Sequence, residues 1–142
     1  MAIPYLACML AVASAEHLPP RVLPAIHAVE GGSVGTVSRN SDGSEDLGVM
    51  QINSRWLPVL ARHTGRDETT VRRALVQAPC FNIAVAGAIL RLYLTETGDN
   101  LLAAIGDYHS HTPLLNERYQ EQVIGAAWSL FGTRVTERQQ IP

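Results

Sequence analysis

The chain is poor in charge, and nowhere does charge of one sign accumulate. Asp, Glu, Lys and Arg make up 17% of its 142 residues, and eleven basic against thirteen acidic side chains leave a formal net charge of −2. Nucleic acids and anionic membrane surfaces are gripped by basic stripes or patches, so neither is an expected partner. No stretch reaches the roughly 18 uninterrupted apolar residues that cross a bilayer, so no transmembrane segment is expected. Internal repeats, low-complexity tracts and linkers are also lacking, which leaves residues 1–142 as one domain, expected to be a monomer. Cysteine is nearly absent. Cys8 and Cys80 are far apart, without the spacing of a zinc knuckle or a redox pair. They read either as two buried thiols or, in an oxidising compartment, as a bridge worth about 4 kcal/mol in the loop-entropy model.

Apolar residues make up 46% of the chain, enough for a packed globule of this length. Residues 1–15 are apolar and Ala13-Ser14-Ala15 has the look of a signal-peptidase site, but no Lys or Arg precedes the run. A first core helix is the preferred reading, because Tyr5, Met9, Val12 and Ala13 recur at helical spacing with Cys8 beside them. On that reading any export signal lay upstream and Met1 is an added start. Further helices are expected at 21–29, 55–63, 68–77, 81–95, 101–108 and 113–131, punctuated by Gly65, Pro79, Gly98 and Gly132. Pro24 falls in a first helical turn, where its missing N–H is tolerated. Residues 40–53 read as a hairpin turned at Asp42-Gly43, and the polar residues 133–142 as a frayed tail. The expected class is α+β, mainly helical, with one small β-ribbon.

Glu30 ends the 21–29 helix and is followed by Gly31, Gly32 and Gly35. At a helix C-terminus its charge opposes the macrodipole, and apolar neighbours add a desolvation cost, so both effects raise its pKa and keep a proton available near neutrality. The ribbon that follows carries more carboxylates and amides, the setting glycosidic bond cleavage requires. Asp42 serves the turn. Glu45 and Asp46 are adjacent, so only one can face Glu30 unless a bulge, for which Gly48 is the candidate, intervenes. Met50-Gln51-Ile52-Asn53 mixes apolar and amide groups, as a sugar subsite needs. Trp56 is placed to wall a cleft, Trp128 on the inner face of the last helix with Val123, Ile124 and Phe131, and Arg72-Arg73 on a solvated surface. His27 shares a helix face with Glu30, and His109 and His111 alternate, but a lone His-x-x-Glu lacks the second motif of a bundle metal site. His27 is therefore read as a packing or capping residue, and no metal is expected.

Four blocks together carry a family resemblance: Ala25-Ile26-His27-Ala28-Val29-Glu30, the ribbon from Asn40 to Ser54, Pro79-Cys80-Phe81-Asn82-Ile83 through Gly87-Ala88-Ile89-Leu90, and Ala104-Ile105-Gly106-Asp107-Tyr108. In order and spacing they resemble the small lytic transglycosylases of the lysozyme-like superfamily that accompany conjugation and type III or type IV secretion systems. The resemblance implies a lysozyme-like fold and a periplasmic or exported enzyme without cofactor. Its implied reaction is cleavage of the β-1,4 bond between N-acetylmuramic acid and N-acetylglucosamine in peptidoglycan. It makes Glu30 the acid and then the base, places Gly48, Met50, Gln51, Asn53 and Tyr108 among the substrate contacts, and pairs Cys8 with Cys80 in a disulfide. Glycan strands are the implied partner, with components of a secretion or conjugation machine. The chain departs from the pattern where Gly31 replaces the usual serine after the catalytic Glu, and where His109-Ser110-His111 replaces Asn-Ala-Gly after the tyrosine. The ribbon is also similar to that of animal lysozymes, with Asp46 in the place of their second carboxylate, so a hydrolase using Glu30 and Asp46 is the alternative. A weakly catalytic wall-binding module of a secretion apparatus is the third reading.

Overall fold

A computed structural model describes residues 2–132; the tail expected at 133–142 lies outside them, as does Met1. Seven α-helices and a small sheet follow in the order α1 (Leu6–Glu16), α2 (Val22–Glu30), β1 (Val37–Arg39), β2 (Glu45–Leu47), β3 (Ile52–Asn53), α3 (Leu57–Thr64), α4 (Glu68–Gln77), α5 (Pro79–Glu96), α6 (Leu101–His109) and α7 (Pro113–Ala127). This is the mainly helical α+β class that the sequence implies.

The helix ends follow from local chemistry. The Asp67 carboxylate accepts from the Thr70 N–H at the start of α4, the Asn100 side chain does the same for Ala103 at the start of α6, and Pro79 and Pro113 open α5 and α7. At the end of α2, Gly31 adopts φ 68°, a left-handed cap in which its N–H reaches the His27 carbonyl.

Helix α5 is the hub. Ile83, Val85, Ala86, Ile89, Leu90, Tyr93 and Leu94 are all buried, and α1, α4 and α6 pack around it. Helix α1 is a core helix that buries Met9 and Ala13, and it is tied to α5 twice. A Cys8–Cys80 disulfide joins the two helices, and further along Arg91 donates to the carbonyls of Glu16 and His17 at the C-terminus of α1. Helix α7 packs on α2 and α6, which brings the far end of the chain beside Glu30.

Three expectations change. The ribbon is a three-stranded antiparallel sheet in the order β1-β2-β3 rather than one hairpin, with Ser38 opposite Asp46 and Asp46 opposite Asn53. Asp42-Gly43 makes the first turn and residues 48–51 the second. Residues 54–56 form a 3-10 turn before α3, because the Asn53 side chain caps the Arg55 N–H. The last helix leaves α geometry at Trp128 for a π-helical turn through Gly132, and Trp128 is 62% exposed instead of in the core. Ile124 is likewise exposed. Among the described residues, no single helix is long and apolar enough to cross a membrane.

Candidate active site

A cleft of about 250 Å³ lies between the end of α2 and the sheet, lined among others by Glu30, Asp46, Gln51, Asn53, Trp56 and Tyr108. Glu30 reaches it because α2 ends there and the Gly31 cap turns the chain away. Burial pushes the Glu30 carboxyl up from 4.5 to about 6; a hydrogen bond from Tyr119 pulls it down, and the negative charge of Asp46 adds to the rise. The Tyr119 hydroxyl donates to Glu30 Oε2 at 2.6 Å. Burial first, and the charge of Glu30 next, hold that hydroxyl far above the ordinary phenol range, so it remains a donor. Its ring lies under the imidazole of His109, with centroids 4.8 Å apart and planes 14° from parallel.

The sheet divides its carboxylates as the alternation of a strand requires. Glu45 points away from the cleft and takes two bonds from the Arg72 guanidinium, at 3.1 and 2.9 Å, so Arg72 belongs to an ion pair that holds α4 to β2. Asp46 faces the cleft, where its Oδ1 accepts from Asn53 Nδ2 at 3.0 Å. Asp42 accepts from the N–H and the hydroxyl of Ser44, and these bonds hold it below the ordinary carboxylate range. Asp42 therefore builds the turn, although its side chain also borders the cleft.

The turn between β2 and β3 is built around a buried amide. Asn82, fully buried on α5, accepts from the Met50 N–H at 2.8 Å and donates to the carbonyls of Leu47 and Leu75 at 2.9 Å each. Gly48 has φ 69°, and a Cβ there would collide with the Leu75 carbonyl and the Asn82 amide. Gly48 thus serves a turn pressed on α4 and α5, not a bulge, and it does not line the cleft. Met50 is 0% exposed; its side chain fills the core, and its carbonyl accepts from the Tyr108 hydroxyl at 2.8 Å. Gly48 has no side chain and that of Met50 lies in the core, so a substrate contact at either position would be made by the backbone of the ribbon. Gln51 has φ 53°, its N–H and its Nε2 both donate to the Gly48 carbonyl, and it does border the cleft, as do Asn53 and Tyr108. The hydroxyl of Tyr108 is directed to the ribbon, and Tyr119 makes the bond to Glu30.

The sequence reading missed Tyr119 and Asn82. Tyr119 stands one turn before Val123 and looks like any aromatic core position, and nothing local marks its hydroxyl as aimed at a residue 89 positions earlier. Asn82 did leave a trace, an amide set among Phe81, Ile83 and Val85 on an apolar helix. The imidazole of His27 pairs with the Gly32 carbonyl at 2.8 Å, a capping role, while His111 meets Tyr93 edge to face and lies 3.8 Å from Asp107. Among the described residues no three His, Cys, Asp or Glu side chains converge as metal ligands.

A buried acid at the end of a helix, facing a small antiparallel ribbon across a polar cleft in a mainly helical domain, defines a lysozyme-like fold. The chain belongs to the transglycosylase SLT domain family, whose model matches residues 7–124. Over 78 residues it is 36% identical to the invasion protein IagB of Salmonella typhimurium, in strains SL1344 and LT2, and to that of Salmonella typhi. The matched segment is 55% of this chain and 45% of the relatives, so it spans less than half of their length.

Proposed function

We propose that the protein is a peptidoglycan lytic transglycosylase that cleaves the β-1,4 bond between N-acetylmuramic acid and N-acetylglucosamine and leaves 1,6-anhydromuramoyl ends. The observation that carries this reading is Glu30, a carboxyl raised to about 6 by burial and held by Tyr119 at the head of a polar cleft. With that pKa, about one molecule in ten still carries the proton at pH 7. Protonated Glu30 gives its proton to the glycosidic oxygen as the bond to C1 breaks. The carboxylate then takes the proton of the muramic C6 hydroxyl, whose oxygen bonds to C1 and closes the anhydro ring. The substrate supplies its own nucleophile, so one carboxyl group and no cofactor suffice. Gln51, Asn53, Trp56 and Tyr108 border the space for the sugar rings.

A second reading has its own observation. Asp46 faces the same cleft and is close enough for its charge to raise the pKa of Glu30, as the partner carboxylate of a muramidase would be. Mass spectrometry of muropeptides released from purified sacculi separates the two. Anhydromuramoyl ends, lost in Glu30→Gln, support transglycosylation; new reducing ends assign a hydrolase; release that persists in Glu30→Gln removes Glu30 from the chemistry and both readings with it.

The disulfide fits an oxidising compartment, and the Salmonella relatives are named invasion proteins; a role in opening the wall locally for a secretion or conjugation apparatus is part of the proposal. A periplasmic or exported location is part of the proposal.

A further inference from the structure

Every carboxylate of the ribbon has a partner. Asp42 accepts from Ser44, Glu45 from Arg72 and Asp46 from Asn53. Arg55 is different. It borders the cleft together with Glu30, Asp42 and Asp46, yet among the described residues it forms no ion pair. Its charge reaches Asp42, but both bonds described for that carboxylate come from Ser44. No lysine occurs in the chain, so the cations that approach the cleft are guanidinium and imidazole groups, and Arg55 is the guanidinium in its lining.

Arg55 is also held in place. Its N–H donates to Asn53 Oδ1 at 2.9 Å, and the other end of the same amide donates to Asp46. The guanidinium lies over the Trp56 ring, 5.9 Å from its centroid. The backbone bond and the stacking partner leave a planar fork of donors at the edge of a cleft that is otherwise acidic. A fork of this kind matches a carboxylate with two parallel N–H bonds.

We infer that Arg55 is a specificity-determining residue that binds a free carboxylate of the peptide stem on the muramoyl residue, so that the protein prefers stem-bearing glycan with its carboxylates ionised. The inference rests on the proposed function, which puts glycan in the cleft. Sugar rings with N-acetyl and hydroxyl groups are neutral, whereas the stem is anionic and meets repulsion from Glu30, Asp42 and Asp46 unless a cation receives it. The contact is at the solvent edge, so salt weakens it.

The test uses short glycan strands with stems, N-acetylated on their amines, in two forms: native, and with the free carboxylates converted to amides by carbodiimide and ammonium. Affinities are measured by calorimetry on the Glu30→Gln protein, which cannot turn the strands over, with Arg55 intact and with Arg55→Gln added. With Arg55 intact, the native strands bind about five- to tenfold tighter than the amidated ones, and the gap narrows at higher salt. Arg55→Gln erases the gap by weakening the native strands alone, and Arg55→Lys restores only part of it. An equal loss on both strands would make Arg55 a sugar contact, and no loss would make it a solvated surface residue; either result overturns the inference, as does a failure of both strands to bind. Cleavage by the Glu30 form is assayed separately. If it is absent while the Arg55-dependent gap persists, the catalytic reading falls and the stem contact stands.

Discussion

Tyr119 on α7 donates to Glu30 Oε2 on α2 at 2.6 Å, and this bond favours the ionised carboxylate while burial of the same group disfavours it. Burial is the larger effect, so Glu30 still holds its proton up to about pH 6. The tyrosine therefore lowers the upper pH at which the acid can act. Tyr119→Phe removes a donor to the charged form, so the pKa of Glu30 rises. The alkaline limb of kcat/KM against pH, assayed on purified sacculi, is expected to move upward while peak activity falls. A limb that stays in place or moves downward would show that Tyr119 does not tune Glu30.

The raised acid is a cost to the fold. The folded-state pKa of Glu30, about 6, lies above its ordinary value of 4.5, so the folded protein binds the proton more tightly than the unfolded chain. The resulting destabilisation is absent below pH 4.5, grows between the two values and is complete above pH 6, where it amounts to about 2 kcal/mol. Glu30→Gln keeps an acceptor for Tyr119 and removes the charge. Urea unfolding is expected to find this inactive variant more stable than wild type at pH 8 by up to about 2 kcal/mol, and equal to it near pH 4. Lower stability at pH 8 would mean that the carboxylate is paired rather than desolvated.

Periodicity made the helices legible. Gly65 and Pro79 bound the 68–77 helix, which starts where Asp67 caps it, and Glu30 stands out because a glycine cluster follows it. The ribbon was legible only in part. Asp42-Gly43 announces a turn, whereas the two-residue strand β3 leaves too little alternation to read. What stayed hidden are pairings whose partners are far apart in the chain. No local pattern tells that the Tyr119 hydroxyl meets Glu30, or that the Asn82 amide replaces missing backbone partners at Met50 and Leu47. Ile124 and Trp128, four residues apart on one helix face, are both exposed, because α7 turns Tyr119 and Val123 to the core and an apolar stripe alone does not tell which face is buried.

Asn82 ties the site to the core, since its one amide serves both arms of the β2–β3 turn and the end of α4. Asn82→Ala leaves a buried N–H and two buried carbonyls without that partner, and the expected cost is about 3 kcal/mol. Asn82→Asp is expected to be nearly as damaging, because an ionised carboxylate accepts from Met50 but donates to neither carbonyl. Urea midpoints measure the loss. At temperatures where both variants remain folded, kcat is expected to fall as well, because Gln51 and Asp46 flank this turn. Full stability in Asn82→Ala would show that water replaces the amide without loss.

Asp46 decides which chemistry the cleft performs. As the nucleophile or ion-pair partner of a muramidase it is indispensable, and Asp46→Asn would lower kcat by about 10³ or more. In transglycosylation the attacking oxygen is the C6 hydroxyl of the sugar, and Asp46 acts on Glu30 only through its charge, which raises the pKa of that acid. The expected result is that Asp46→Asn keeps activity within about tenfold of wild type, still releases anhydromuramoyl ends, and moves the alkaline limb downward. Tyr119→Phe moves the same limb upward, so the two substitutions shift one titration in opposite directions. An unspecific disturbance of the cleft would not separate them by sign. Loss of all turnover in Asp46→Asn, in a protein that unfolds in urea like wild type, would move the assignment to the two-carboxylate hydrolase.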